Sequence, residues 1–93
     1  MFNTNEYFDG KVKSIALESA EGTATIGVMA AGEYEFGTST VEIMTVISGK
    51  LSVMLPCDSS WKEYKKFESF VVPKDIKFKV KAAGDTPYLC LYK

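Results

Sequence analysis

Residues 41–56 read Val41-Glu42-Ile43-Met44-Thr45-Val46-Ile47-Ser48-Gly49-Lys50-Leu51-Ser52-Val53-Met54-Leu55-Pro56. Two apolar runs rich in β-branched residues flank Ser48-Gly49-Lys50, and each has the length of a strand. A short connection containing glycine between two such runs predicts a β-hairpin. Both faces of that ribbon are largely apolar. One face is then expected against the domain interior, and the other against a second layer or a partner chain. Glu42 is the one acid in the block. A carboxylate among Ile43, Met44, Val46 and Ile47 is costly unless it is hydrogen-bonded, paired, protonated or near water.

Working outward, the other segments repeat the strand pattern. Lys11 to Leu17 alternates, Thr23 to Met29 is rich in β-branched residues, and Glu33-Tyr34-Glu35-Phe36 carries one acidic and one aromatic face. Trp61, Tyr64 and Phe67 have helical spacing, but the segment is short and its neighbours favour extended structure. Phe70 to Val72 is a strand stopped by Pro73. Ile76 to Lys81 puts Ile76, Phe78 and Val80 on one side and three lysines on the other. In Pro87 to Lys93, Tyr88, Cys90 and Tyr92 share a face. Residues 1–10 place Phe2, Tyr7 and Phe8 in an arm expected to be tied to the body by its aromatics. Turn signals at regular spacing predict an all-β single domain over residues 1–93, a sandwich or barrel.

Composition narrows the chemistry. The 93 residues carry a net charge of -1 and contain no histidine and no arginine. That excludes His-rich catalytic zinc sites and both Ser-His-Asp and Cys-His mechanisms. No basic stripe points to nucleic acid, and no apolar run reaches membrane-spanning length. Cys57 and Cys90 make no disulfide framework and read as reduced thiols, which with the unremarkable N-terminus predicts a cytoplasmic protein. A chain this small gains from oligomerisation, and a homodimer is expected.

Glu42 and Gly49, with six residues between them, match the second half of the first cupin motif. Phe67 to Pro73 has the spacing of the Gly-to-Pro portion of the second motif, with Phe67 in place of the glycine. Asp75 stands where a second glycine would be, and Phe78 where the metal-binding histidine would be. The His-x-His of the first motif falls at Glu35 and Gly37 or at Phe36 and Thr38. The chain thus resembles a small cupin barrel without its metal site.

A second, more specific resemblance rests on ordered motifs. They are Asn5 to Ile15, Gly32-Glu33-Tyr34 with Phe36 and Thr38, Glu42 to Gly49, Val72-Pro73, and Tyr88-Leu89-Cys90 with Tyr92. Together they resemble the pyrimidine/purine nucleoside phosphorylase family, from about residue 3 onward. Leu91 departs from relatives that carry arginine there. The resemblance implies a cupin-like β-barrel or jelly roll that cleaves purine and pyrimidine nucleosides with inorganic phosphate, releasing base and pentose 1-phosphate.

Such a reaction passes through an oxocarbenium-like state. A buried carboxylate would stabilise it or grip the sugar hydroxyls, and Glu42 is the first candidate, Glu35 the second. Tyr34, Phe36, Phe78, Tyr88 and Tyr92 are candidates for a base platform, though each reads first as core packing. With no arginine, phosphate would fall to Lys50, Thr38, Ser48 and backbone N–H groups. No cofactor or metal is expected. Two other readings stay open, a non-catalytic barrel that binds a small metabolite and another sugar-directed activity such as isomerisation. Glu42 itself can be a structural acid hydrogen-bonded to a tyrosine.

Overall fold

The structure, a computed structural model, describes residues 1–93. It contains ten strands and no helix: β1 (Thr4–Tyr7), β2 (Val12–Ser19), β3 (Gly22–Met29), β4 (Gly32–Gly37), β5 (Glu42–Val46), β6 (Lys50–Met54), β7 (Lys62–Lys65), β8 (Ser69–Val72), β9 (Lys77–Ala82) and β10 (Thr86–Tyr92). All pairings are antiparallel. A six-stranded sheet runs β1-β2-β3-β10-β5-β8, and a four-stranded sheet runs β4-β9-β6-β7. The all-β expectation holds, and so does the extended reading of residues 61–67, where β7 lies.

The core fills the space between the sheets. Val12, Met29, Met44, Val46, Phe70, Val72 and Cys90 enter from the larger sheet, and Leu51, Val53, Phe78, Val80 and Ala82 from the smaller. Burying each large aliphatic side chain contributes roughly 1.5–3 kcal/mol. The smaller sheet turns a charged face outward, with Glu33 opposite Lys81 and Glu35 opposite Lys79.

The hairpin expected at 41–56 does not form. β5 pairs with β10 and β8, whereas β6 pairs with β9 and β7. Ser48-Gly49 carries the chain from one sheet to the other, so Met44 and Val46 face Leu51 and Val53 across the core. Gly49 takes φ +74 to make that corner. A glycine-centred arch and a glycine-centred hairpin look alike locally. They differ in where the backbone hydrogen bonds go, and here more distant strands supply the partners. Ile47 N–H, for instance, donates to Pro87 C=O at 3.0 Å.

Two further features are the N-terminal arm and the second motif. The arm is tied to the body through Phe8, which packs on Tyr34 and Phe36, and also by backbone pairing of Thr4–Tyr7 as an edge strand on β2, whereas Phe2 is exposed. Phe67 and Asp75, the residues standing where the motif has glycines, both adopt left-handed backbone, φ +67 and +60. An L-residue pays about 1–2 kcal/mol there. The turn is held regardless, because Phe67 N–H donates to Val46 C=O at 2.6 Å and Val46 N–H to Glu68 C=O at 3.1 Å.

Candidate functional site

The inner faces of the two sheets leave a cavity of about 290 Å³, at the small end of the range of roughly 300–1,000 Å³ for ligand pockets. β5 and β10 supply its polar side. Strand alternation points Glu42 and Met44 inward from β5, and Tyr88, Cys90 and Tyr92 inward from β10. The register sets Glu42 opposite Tyr92 and Met44 opposite Cys90. β9 and β4 supply the aromatic side through Phe78 and Phe36, whose ring centroids are 5.8 Å apart. Tyr7 and Phe8, at the turn after β1, complete the rim.

Glu42 is half-buried, and its Oε1 accepts a hydrogen bond from the Cys90 thiol at 3.4 Å. Burial raises the Glu42 pKa above the ordinary carboxylate value, and the thiol's hydrogen bond opposes that shift in part. Burial, reinforced by the neighbouring Glu42, pushes the Cys90 thiol up to about 12, so it stays a neutral donor at physiological pH. Tyr88 is likewise pushed up to about 12, chiefly by burial. Burial also raises Tyr92, whose hydroxyl lies 3.1 Å from Thr25 Oγ1. The cavity therefore offers one half-buried carboxylate, neutral hydroxyls and a thiol, and flat apolar rings.

The other sequence candidates divide. Phe36, Phe78, Tyr88 and Tyr92 line the cavity with Glu42. Tyr34 does not: it is a core residue whose hydroxyl donates to Ala30 C=O at 2.7 Å. Glu35 reaches only the rim and is exposed, because alternation in β4 turns it outward, opposite Lys79. Lys50 lies on the smaller sheet, ion-paired to Glu63 at 3.1 Å, and does not line the cavity. Ser48 is exposed on the arch, also outside the cavity. Thr38 lies in a shallow depression that shares Gly37 with the cavity, and its hydroxyl donates to Pro73 C=O at 2.7 Å. The arch explains the displacement of Lys50. Once β6 leaves the sheet of β5, a residue just past Gly49 belongs to a different wall.

No lysine lines the cavity at all. Tyr7, Phe8, Ser14, Met29 and Cys90, none of them singled out from sequence as site residues, do line it. Alternation alone placed Cys90 on the face of Tyr88 and Tyr92, so that neighbour was findable. Gly27 was also missed. It pairs with Tyr88 in register, and a Cβ built on it would meet the Tyr88 ring at 2.5 Å. The absent side chain lets the Tyr88 ring lie flat over the strand.

The residues do not fit the metal of the cupin motifs. Phe78 occupies a would-be ligand position, as do Glu35 and Gly37, or Phe36 and Thr38, at the other motif. No group of three or more His, Cys, Asp or Glu side chains lies close enough to hold an ion.

Comparison with known proteins agrees with this picture. The model of the family described as pyrimidine/purine nucleoside phosphorylase matches residues 2–92. A Pseudomonas fluorescens protein named pyrimidine/purine nucleoside phosphorylase is 61% identical over 93 residues, covering 100% of this chain and 99% of that one. A solved structure of a Vibrio parahaemolyticus protein of unknown function superposes with a TM-score of 0.93 at 38% identity, covering 97% of this chain and 96% of the other. A cupin superfamily protein from Desulfitobacterium hafniense superposes with a TM-score of 0.72 at 15% identity, covering 95% of this chain and 82% of that one, which establishes the cupin-like fold.

Proposed function

The chain belongs to the pyrimidine/purine nucleoside phosphorylase family, and from that membership we propose that it is a pentosyl-transferring enzyme, cleaving purine and pyrimidine nucleosides with inorganic phosphate. A phosphate oxygen forms the new bond to the anomeric carbon. The bond from that carbon to the base nitrogen breaks, and the base leaves with the electron pair and takes up a proton. The observation that carries the reading is Glu42, a half-buried carboxylate inside an aromatic-lined cavity. Ionised, it stabilises positive charge developing on the sugar, at short range and with little competing water. It serves best on the side of the sugar away from phosphate, where the two negative groups do not meet.

Phosphate has no lysine inside the cavity. We assign it to the edge where Gly37 joins the cavity to the depression lined by Ser39 and Lys77. The Ser39 hydroxyl and the Lys77 ammonium are the side-chain donors open to it there, beside the carboxylate of Asp75. Incubation with uridine and with adenosine should release base only when phosphate is present, at a rate that dialysis against EDTA leaves unchanged. Release without phosphate would mean hydrolysis and overturn the reading, and loss of activity to the chelator would overturn its metal-free part.

We further propose that the enzyme is a homodimer through the outer face of the six-stranded sheet. Ile15, Ile26 and Leu89 lie side by side across β2, β3 and β10, with Val28 on the same face of β3. Ile26 and Val28 are each nearly half exposed in the single chain. An apolar sheet face of this kind marks an interaction surface, and a flat, self-complementary strip suits a two-fold pair. Light scattering should give twice the chain mass of 10.3 kDa, and Ile26→Lys should shift it to the single-chain value. A wild-type mass of one chain would sink the dimer.

A further inference from the structure

The turn joining β1 to β2 carries an unfavourable residue for its shape. Gly10 N–H donates to Tyr7 C=O at 3.2 Å, and the residues between them, Phe8 and Asp9, have φ +54 and +58. Positive φ at both central positions of a turn is the type I′ signature, which favours Asn, Asp and Gly. Asp9 suits it. Phe8 does not, because its Cβ is crowded in left-handed backbone. A bulky residue kept in that region is an outlier that asks for a reason.

Burial does not supply the reason, since Phe8 is 42% exposed. The conformation instead lays the ring on the rim of the cavity. Its centroid is 5.0 Å from that of Tyr34 and 5.5 Å from that of Phe36, with the second contact edge-on at 90°. Tyr34 is pinned from below by its bond to Ala30. The Phe8 ring is thus braced by two neighbours and still open to solvent. A cavity of about 290 Å³ lined by both Glu42 and Phe8 is close to the size of one nucleoside. A nucleoside with its pentose at Glu42 therefore presents its base to the rim.

We propose that Phe8 is the base-stacking residue of the site, packing its ring against the purine or pyrimidine of a bound nucleoside. This rests on the phosphorolysis reading for its choice of ligand. Stacking uses the π-face that every base has, so it gives affinity without choosing between bases. The strained turn then has a purpose: it fixes a flat surface at the mouth in advance of binding.

Three variants test this. Phe8→Asn suits left-handed backbone and removes the ring, Phe8→Leu keeps apolar bulk without a π-face, and Phe8→Trp keeps stacking. For Phe8→Asn and Phe8→Leu, the KM values for uridine and adenosine should rise about 10-fold or more, with kcat and the phosphate KM little changed. Phe8→Trp should behave like wild type. Calorimetric titration with uridine and adenosine, without phosphate, should show the same ranking of affinities. That titration does not depend on turnover, so it separates a failure of the stacking role from a failure of the phosphorolysis reading. Unchanged nucleoside affinity in both ring-less variants, an equal rise in the phosphate KM, or a wild-type chain that binds neither nucleoside would overturn the proposal.

Discussion

Glu42→Gln lowers phosphorolysis by about 10²–10³-fold in kcat, the size of loss expected when one preorganised electrostatic group is removed from a water-poor site, and leaves the protein at least as stable as before. The two halves of this result have one cause. The cavity is a poor solvent for a carboxylate, and burial raises the pKa of Glu42. A raised folded-state pKa means that the folded chain holds its proton more tightly than the unfolded chain does. The stabilisation this gives is fully present below the ordinary carboxylate value and is lost as pH rises through the raised one. At neutral pH the ionised side chain therefore opposes folding, and the neutral amide relieves that cost.

Glutamine keeps the shape and an oxygen for the Cys90 thiol, so packing is not the variable. The wild-type rate should also fall on the acid side, with its midpoint above the usual carboxylate range. Initial rates between pH 4 and 9 and thermal melts of both proteins at pH 7.5 measure these outcomes. A Glu42→Gln enzyme with near-normal kcat would remove Glu42 from the chemistry. One that melts well below wild type would make it a structural acid.

Gly27→Ala carries the largest expected effect on stability. The added Cβ would stand 2.5 Å from Cζ and Oη of Tyr88 and 2.7 Å from its Cε1. No real Cβ tolerates such contacts, and Tyr88 is buried between β3 and β5 with little room to withdraw. Its available path is into the cavity. Overpacking of this kind costs about 1–3 kcal/mol, a fall in Tm on the order of 10 °C for a domain of this size. Activity should fall as well, because the displaced ring occupies the space of the substrate. The double variant Gly27→Ala/Tyr88→Leu should recover part of the loss, since residues in direct contact do not contribute additively. A Gly27→Ala protein that melts within 2 °C of wild type would show that the ring does not depend on the bare backbone.

How far the sequence could be read depended on whether a feature was local or assembled. Alternation in β9 and β10 grouped Phe78 with Val80, and Tyr88 with Cys90 and Tyr92, on shared faces as found, because a period of two needs no knowledge of partners. The interval from Glu42 to Gly49 aligned the chain with the cupin motif, and left-handed backbone at Phe67 and Asp75 agrees with that alignment. The partner of each strand was not local. The arch at Ser48-Gly49 was therefore read as a hairpin, and Lys50, a phosphate candidate from sequence, lies on the smaller sheet away from the cavity. Charge likewise guided the choice of phosphate ligands, whereas side-chain direction decides which groups meet. Gly27 was silent because its contribution is a missing side chain, visible only once Tyr88 lies over it.

The place of β10 has a kinetic consequence. It comes after every other strand in sequence, yet it lies between β3 and β5 in the middle of the larger sheet. Until residues 86–92 arrive, that sheet is two separate fragments, β1-β2-β3 and β5-β8, each with an unpaired edge. The cavity also lacks Tyr88, Cys90 and Tyr92 until then. Closure must bring together segments about sixty residues apart, the kind of non-local pairing that slows folding. Ligand-binding capacity therefore appears only in the last, cooperative step, and a partly folded chain has no site with which to compete for substrate.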